Sequence, residues 1–355
     1  MARLGVVSLA DVAREAEVSV STASRVLNDV PQCIVSQAKR QRIKQAADTL
    51  GYRRNRSARQ FSTGRTECVG LIIGSSMFTS WAQRATATLS LETVHGITEH
   101  LAELNHTVML TVAPEHDADE ILQKQFLAEQ RVDGVISMVR TPEGLVAECR
   151  RLQVPLVSVQ HTRPNTALAS VGIDSRPGIE EAAARLAELG HRRAGYIGYR
   201  TPPLRPGTGD RQSEWLSSCA ERGIEIADEL RLAVIDETDA FLQTRDMIQQ
   251  GRLPTLLICS CDHYAVMAVR AIHGAGLHVP EDVSVVGYDD AQYAQACPVP
   301  LATIRIPRRE AGRTAAQLVI DLRRDPGRPQ STLSLASTWV ERQSAGACRN
   351  GHDGR

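Results

Sequence analysis

Residues 8–28 read SLADVAREAEVSVSTASRVLN, and this stretch predicts two short helices joined by a tight turn. The apolar positions of the first helix recur at helical spacing: Leu9, Val12, Ala13 and Ala16. Ser8 begins this helix with a capping-box-like pattern, because Asp11 follows three residues later. Ser19 stands where it can cap the second helix. The N-terminal part of the chain therefore starts with a compact helix pair.

The second predicted helix has a small, polar outer face. Its apolar side consists of Ala23, Val26 and Leu27, and its polar side of Ser21, Ser24, Arg25 and Asn28. Ser36 opens a third helix, which Gly51 ends. Three such helices match the helix-turn-helix plan, and a generic three-helix bundle is the alternative. The hydroxyls, which suit phosphates, and the Arg25 guanidinium, which suits guanine, favour DNA binding.

Charge is distributed unevenly along the chain. The whole sequence has 41 Lys and Arg against 41 Asp and Glu. Residues 1–65 carry twelve basic and five acidic side chains, which leaves +7 there and −7 on the remainder. A basic head on an acidic body favours a polyanionic partner, whose affinity depends on salt. Charge alone does not distinguish DNA from RNA or an acidic protein.

From Val69 onward, short apolar runs alternate with helical stretches. We predict buried strands at 69–73, 108–112, 135–139, 156–159, 194–199, 230–235, 256–259 and 283–288. Helices are predicted between them, at 92–104, 119–130, 177–189, 263–275 and 309–323. This alternation predicts parallel sheets with helices on both faces and a ligand site at the carboxyl ends of the strands. Roughly 290 residues are too many for one such sheet.

Neither a membrane protein nor a secreted one is predicted. No run approaches the roughly 20 apolar residues that span a bilayer, and the N-terminus lacks a secretory signal, so we expect a cytoplasmic protein. The eight cysteines lack CxxC spacing, and we expect reduced thiols, no metal and no cofactor. Cys259 and Cys261 close an apolar run, which indicates a buried strand end; metal binding there is the alternative.

Four blocks in the head resemble the lactose-repressor (LacI) family: residues 8–16, 18–28, 43–52 and 55–61. By this resemblance, Val20, Ser21 and Arg25 contact bases. The residues that hold phosphates are then Ser19, Thr22, Ser24 and Asn28. The segment with Asn55, Ala58, Arg59 and Phe61 would form a hinge helix in the minor groove. The resemblance thus implies operator DNA as a partner.

Three positions in the head depart from the family pattern. Glu17 stands in the turn where Gly or Asn is usual, which predicts a strained, left-handed backbone. Arg54 replaces a common Pro. Phe61 replaces the hinge Leu that wedges between base pairs, and Phe is also a wedging residue. The alternative is that Phe61 packs on the body or on a dimer mate.

The resemblance continues into the body at residues 131–135, 189–193 and 279–290. It implies an α/β fold: a helix-turn-helix head followed by the two-lobed body of type I periplasmic sugar-binding proteins, with parallel sheets. Arg211, Trp215 and Asp262 match the effector-binding Arg, an aromatic wall and the Asp that holds sugar hydroxyls. The alternatives are a surface residue at a helix start for Arg211 and a helix N-cap for Asp262.

The resemblance is weakest at 74–91, where Trp81 is a candidate replacement for the missing aromatic residue or a surface loop residue. Glu214 and Cys261 stand where Gly and Asn are usual, which indicates a ligand of unusual shape or a lost response.

The expected organisation has four parts. Residues 1–54 form the DNA-binding domain, 55–67 the hinge helix and linker, 68–342 the effector-binding and dimerisation domain, and 343–355 a disordered tail. No leucine heptad is visible in the tail, so we expect a homodimer.

Two other classes of function fit the sequence less well. A transport-type binding protein needs a signal peptide and no DNA-binding head. An enzyme would need chemistry that the sequence does not signal, since Walker, GxSxG and HExxH motifs are absent from it. Asp289-Asp290 is interpreted as a turn after a strand and not as a catalytic pair. The sequence therefore predicts a repressor that binds a near-palindromic operator and responds to a sugar, sugar acid or similar effector.

Overall fold

A computed structural model of the chain describes residues 7–27, 34–52, 65–75, 81–113, 127–139, 141–159, 168–199 and 211–348; the side chains of 81–88 are not included. The chain divides into two compact units, Met1–Thr66 and Glu67–Arg355. The finer boundaries expected at residues 54 and 67 stay predictions.

The first unit contains the three predicted helices: α1 Leu9–Glu15, α2 Val20–Leu27 and α3 Gln37–Leu50. The predicted caps are confirmed. Ser8 and Asp11 form a complete capping box, and the Ser36 hydroxyl accepts a hydrogen bond from the Lys39 amide. Gly51 ends α3 with a left-handed φ of 66°. The three helices share one small core: Val12, Ala13, Ala16, Ala23, Val26, Leu27, Ile43, Ala46 and Ala47.

In the second unit, the first lobe is built on a parallel six-stranded sheet in the order β11-β5-β4-β3-β1-β2. Its strands are β1 Cys68–Gly74, β2 Thr107–Ala113, β3 Gly134–Ser137, β4 Leu156–Val159, β5 Ala169–Asp174 and β11 Thr332–Ala336. Its helices are α4 Trp81–Glu103, α5 Glu143–Arg151 and α11 Arg308–Arg324. The helices α4 and α11 cover one face of the sheet, and α5 lies on the other. Trp81 begins α4, so it does not lie in a loop.

The second lobe has a parallel four-stranded sheet in the order β7-β6-β8-β9. Its strands are β6 Arg193–Tyr199, β7 Glu225–Val234, β8 Leu256–Cys259 and β9 Ser284–Val286. Its helices are α6 Arg176–Glu188, α7 Arg211–Glu221, α8 Glu237–Gln249, α9 Asp262–Gly274 and α10 Gln292–Ala296. All eight predicted strands are confirmed, and β7 begins five residues earlier than expected. Most of the helix predicted at 119–130 lies outside the described residues.

Three crossovers connect the two lobes, after β5, after β10 (Thr303–Arg305) and after β11, and β10 pairs antiparallel with β12 (Thr338–Val340) beside them. The first and third crossovers are joined at Ser175 and Ser337, because the Ser337 hydroxyl donates to the Ser175 carbonyl at 2.8 Å. The Tyr288 hydroxyl, at the end of β9, donates to the Ser175 hydroxyl at 2.8 Å. The crossovers are therefore tied to the carboxyl edge of the second sheet.

The expected disorder from residue 343 is wrong as far as Cys348. Ser344 is fully buried; its hydroxyl donates to the Val285 carbonyl at 2.5 Å and accepts from the Ala302 amide at 2.8 Å. Farther on, the Cys348 amide donates to the Leu189 carbonyl at 2.7 Å. The polar composition was misleading because these polar atoms satisfy backbone groups at the amino ends of β6 and β9. Residues 349–355 lie outside the described part.

None of the helices in the described ranges is long and apolar enough to cross a membrane.

Candidate DNA-contact face and effector site

The outer face of α2 presents polar side chains to solvent. Ser19, Ser21 and Arg25 are exposed, and Val20 is 48% exposed although it is apolar. The Ser19 hydroxyl accepts from the Thr22 amide at 3.2 Å and lies 2.8 Å from the Thr22 hydroxyl. These groups are held by short-range contacts within the helix start, so their outward side remains accessible to a nucleic acid.

The turn before α2 contains the strained residue that the sequence predicted. Glu17 has a φ of 51°, in the left-handed region that favours glycine. Its carboxylate lies 3.4 Å from the Arg42 guanidinium of α3, an exposed ion pair. The remaining predicted DNA contacts, Asn28, Asn55, Ala58, Arg59 and Phe61, lie outside the described residues, and so does Arg54.

In the body, Arg211 lies at the carboxyl edge of the second sheet, at the first position of α7. Its Nη1 donates to the Ser260 carbonyl at 3.0 Å, just beyond the end of β8. Its guanidinium carbon lies 4.0 Å from the centre of the Tyr288 ring, a cation–π contact. About a quarter of the side chain is exposed, so Arg211 is available to a ligand at this edge.

Trp215 does not form a wall of a pocket. Its side chain is fully buried in the core between α6, α7 and the sheet, beside Ile179 and Cys219. The prediction failed because Trp215, four residues after Arg211, lies on the side of α7 that faces the sheet, where a large apolar ring gains most from burial.

Asp262 is also buried, and both of its carboxylate oxygens are already bonded within the protein. Oδ2 accepts from the Ala291 amide at 2.7 Å, and Oδ1 accepts from the Thr303 hydroxyl at 2.7 Å. Packing here is tight, since a Cβ on Gly287 would lie 2.0 Å from Oδ1. The prediction that this carboxylate is presented to a ligand is wrong in this structure. The alternative, that Asp262 is a helix N-cap, is also wrong by one residue, because Cys261 is the N-cap of α9.

The buried position changes the acidity of Asp262. Burial is the main cause, and the nearby Asp289 charge adds to it; together they raise the pKa of Asp262 to about 7. The bonds from Thr303 and Ala291 act in the opposite direction and do not cancel the effect.

The carboxylate that does lie beside Arg211 belongs to Asp289, which was predicted to be a turn residue. Arg211 Nη2 lies 3.9 Å from Asp289 Oδ1, and the same oxygen accepts from Arg308 Nη2 at 2.5 Å. Asp289 has a φ of 116°, a conformation that costs free energy in a residue other than glycine. Its position directly after a buried strand, at the carboxyl edge, was the signal in the sequence.

Asp290 continues this cluster. Its φ is 56°, and its carboxylate accepts from Arg305 at 2.7 Å and from Arg342 at 2.5 Å. The two consecutive aspartates therefore bind Arg305 at the end of β10, Arg308 at the start of α11 and Arg342 after β12.

Three buried polar atoms on α7 and at the end of β8 have no hydrogen-bond partner among the described residues: Glu214 Oε2, Trp215 Nε1 and Ser260 Oγ. Glu214 lies three residues after Arg211 on α7. Burial and the nearby charge of Asp174 raise the pKa of Glu214. Buried groups of this kind are normally bonded, and when they are not, a ligand or water is the usual partner.

The two thiols at this edge, Cys259 and Cys261, are buried. Cys259 ends β8 fully buried, which confirms the predicted strand end, and burial raises the pKa of Cys261 to about 12. Both thiols are therefore protonated at neutral pH. Within the described ranges there is no group of three or more His, Cys, Asp or Glu side chains with metal-binding geometry.

A helix-turn-helix head on a body of two parallel sheets defines a class: ligand-responsive DNA-binding proteins. Comparisons with known proteins identify the family. The model of the bacterial regulatory proteins, lacI family, matches residues 8–55, and that of the periplasmic binding protein-like domain matches residues 183–345.

Individual proteins agree with these matches. The chain is 31% identical over 311 residues to the uncharacterized HTH-type transcriptional regulator in the aml 5' region of Streptomyces limosus. The aligned residues cover 84% of this chain and 83% of that protein. The Lac repressor dimer bound to operator and the anti-inducer ONPF matches with a TM-score of 0.76 and 25% identity, over 97% of this chain and 100% of that one. The complex of the transcriptional regulator CelR with cellobiose matches with a TM-score of 0.64 and 27% identity, over 95% and 99%.

The chain belongs to the lacI family of bacterial regulatory proteins. It is a DNA-binding transcriptional regulator with a helix-turn-helix head and a periplasmic-binding-protein-like body, as the sequence predicted.

Proposed function

We propose that the protein is a repressor that binds a near-palindromic operator as a homodimer and responds to a sugar-like effector at the carboxyl edge of the second lobe. The observation that carries this proposal is the pairing of two features in one chain. The head, with a charge of +7 over residues 1–65, presents an exposed polar helix face. The body places an arginine whose side chain is about a quarter exposed beside buried, unbonded polar atoms.

DNA binding is assigned to α2. Val20, Ser21 and Arg25 contact base edges, because they point outward from a helix of the size that fits the major groove. Ser19, Thr22 and Ser24 hold phosphates through their hydroxyls. Asn28 and the hinge residues Asn55, Ala58, Arg59 and Phe61 complete the interface, the hinge residues in the minor groove.

Exposed apolar residues in both lobes support the proposal that two copies of the chain form a dimer. In the first lobe, Leu110 and Val112 on the edge strand β2 are 51% and 44% exposed. In the second lobe, Ile235 is 59% exposed and Leu242 on α8 is 38% exposed. Apolar surface of this kind on a sheet edge favours a partner. Two-fold symmetry of the dimer would match the symmetry of the operator.

The effector site is assigned to Arg211, Ser260 and Asp289, with Asp262 and Trp215 supporting it from within. Asp262 fixes the loop of Ala291 behind Asp289, and Trp215 anchors the helix that carries Arg211. CelR and Lac repressor, with 27% and 25% identity, were solved with cellobiose and with ONPF respectively. This supports a carbohydrate-like effector here.

Effector binding is coupled to DNA binding through the lobes. Asp289 belongs to the second lobe, whereas Arg308 begins α11, which packs on the first. A ligand that engages Asp289 or Arg211 therefore acts on a link between the lobes. Any change in lobe angle alters the spacing of the two heads, and the coupling is reciprocal.

The protein acts where operator DNA is, in the cytoplasm, and it regulates transcription without catalysing a reaction. This is supported by the relatives described above, which are named as a transcriptional regulator and a repressor bound to its operator.

The test uses the full-length protein and a random DNA library. Selection is expected to enrich a near-palindrome, and fluorescence anisotropy should find affinity falling by orders of magnitude between about 50 and 200 mM salt. A screen of sugars, sugar acids and nucleosides then monitors operator release. Affinity that hardly changes with salt would contradict the assignment of the head, and binding to single asymmetric half-sites would contradict the dimer.

A further inference from the structure

A cavity of about 210 Å³ lies at the amino edge of the sheet of the first lobe, where β4 and β5 begin. The deepest part of its lining is buried and apolar. The residues that form this part come from four segments: Cys149 of α5, Leu156 of β4, Leu168 before β5 and Leu322 of α11. The effector site proposed above lies at the carboxyl edge of the other lobe, so this cavity is separate from it.

The size of the cavity limits what it can hold. An apolar cavity of about 150 Å³ accommodates one benzene molecule. A space of about 210 Å³ therefore has room for one six-membered ring, or for an alkyl chain of similar volume, together with one small polar group. Burial of the apolar part of such a molecule against the leucines would supply the driving force for binding.

The mouth of the cavity is polar and carries a positive charge. Arg150, Gln153 and Gln330 line it, and all three are exposed. Gln330 Oε1 accepts from the Ala169 amide at 2.9 Å, which holds this side chain at the start of β5. Among the described residues, no aspartate or glutamate lines the cavity. The lining therefore complements an anion, because its polar groups are a guanidinium and two amides that can donate hydrogen bonds.

Three acids directly follow or precede lining residues in the sequence, and each is bonded to a group outside the cavity lining. The pairs are Glu148 with Arg151 at 2.6 Å, Asp321 with Arg328 at 2.8 Å, and Asp325 with the Gly327 amide at 3.1 Å. Arg150 and Arg151 both lie in the last turn of α5, where a positive charge stabilises the helix end. Of these two arginines, Arg150 belongs to the cavity lining and Arg151 does not.

We propose that this cavity is a second ligand site, which binds a small monocarboxylate with an apolar body. The apolar body packs on Leu156, Leu168 and Leu322, and the carboxylate accepts hydrogen bonds from the Arg150 guanidinium at the mouth. Aromatic acids such as benzoate and short fatty acids such as hexanoate share this chemistry. The site does not depend on the identity of the effector in the second lobe.

The experiment compares matched probes on the full-length protein by isothermal titration calorimetry and thermal unfolding. The charged probes are benzoate and hexanoate, the neutral probes of the same shape are benzamide and hexanamide, and acetate lacks the apolar body. At least one charged probe should bind about 5- to 10-fold more tightly than its amide. Acetate should not bind at about 10 mM. A preference for benzoate indicates an aromatic acid as the ligand, and a preference for hexanoate indicates a fatty acid.

Substitutions locate the bound probe. Arg150→Met should remove the advantage of the charged probe over its amide. Arg151→Met is the matched control and should leave binding unchanged, because Arg151 is adjacent in sequence but pairs with Glu148. Val146 also lines the cavity, and Val146→Phe should weaken binding of all probes at least about tenfold, because the larger side chain occupies part of the space. Circular dichroism checks that each variant is folded.

Three results would each overturn the proposal. The first is that neither carboxylate binds at about 10 mM. The second is that the amides bind as tightly as the acids. The third is that Arg150→Met and Val146→Phe leave the affinities unchanged, which would place the probes at another site. If Val146→Phe does not fold, Arg150→Met decides by itself, because it changes an exposed side chain.

Discussion

The DNA-contact face and the effector site differ in how their polar side chains are satisfied. On α2, Ser21 and Arg25 are exposed to solvent, and the groups that we propose to bond them belong to DNA. At the carboxyl edge of the second lobe, Asp262 and Asp289 are buried and bonded to other parts of the protein. A change on α2 therefore affects binding and spares folding, whereas a change among the buried carboxylates affects folding first.

The largest expected effect is at Arg308. Arg308→Met leaves Asp289 buried without its partner and should lower the free energy of unfolding of the body by about 3 to 5 kcal/mol. Urea denaturation followed by tryptophan fluorescence measures it. Arg309→Met is the matched control, because its ion pair with Glu99 is largely exposed and little change is expected. Equal losses for the two variants would contradict the buried pair.

A second prediction concerns how the contribution of buried Asp262 to stability changes with pH. The folded protein holds a proton on Asp262 up to about pH 7, whereas the unfolded chain releases it near 3.8. The folded state thus binds more protons in this window, so the Asp262 contribution to stability falls as pH rises. Above about pH 7 the contribution is constant.

Asp262→Asn removes this titration. Relative to the variant, the parent should lose about 2 to 3 kcal/mol of unfolding free energy between about pH 5 and pH 7. Protonated Asp262 can donate to Thr303, whose hydroxyl then accepts, so the folded structure accommodates the proton. Denaturation curves at both pH values provide the measurement, and parallel losses in parent and variant would show that Asp262 is ionised throughout.

On the exposed face, Arg25→Ala should cost about 1 to 3 kcal/mol at one base pair in each half-site. Thr22→Ala should instead weaken all sequences about equally, because its hydroxyl is assigned to a phosphate. Binding-site selection distinguishes the two kinds of loss. Unchanged base preferences for Arg25→Ala would remove Arg25 from the residues that contact bases. Neither substitution should alter thermal unfolding of the body.

The smallest expected effect is at the cap of α3. Ser36→Ala removes the hydrogen bond to the Lys39 amide and should cost about 1 kcal/mol of stability in the head. Ser36→Asp keeps an acceptor at this position and should cost less. Circular dichroism at 222 nm during thermal unfolding measures both. A Ser36→Asp protein no more stable than Ser36→Ala would indicate that the cap contributes nothing.

The same contrast explains how far the sequence alone was informative. In the head, the caps at Ser8, Ser36 and Gly51 were correct because each depends on residues within four positions along the chain. The eight predicted strands of the body were correct for a similar reason, since apolar runs are local, but β5, β10, β11 and β12 were not predicted. The two-lobed architecture came from resemblance to a family and not from local pattern.

The errors concern side chains whose surroundings come from distant segments. Asp262 is bonded to Ala291 and Thr303, 29 and 41 residues away, and no local pattern encodes those contacts. The orientation of Trp215 depends on where α7 meets the sheet. The sequence shows Asp289 as an acidic residue after a strand. Its ion-pair partner, Arg308, lies 19 residues further along the chain, and no local pattern predicts that pair.

The segment around Ser344 has a practical consequence for anyone who attaches another protein to this one. It runs along the amino ends of β6 and β9, where Ser344 is bonded to Val285 and Cys348 to Leu189, while Arg211 and Asp289 lie at the opposite edge of the same sheet. A fluorescent reporter fused after Cys348 would thus emerge at the end of the second lobe opposite the proposed effector site. A fusion made after truncation at residue 342 would remove the hydrogen bonds that Ser344 and Cys348 form with the second lobe, and misfolding of the fusion should follow.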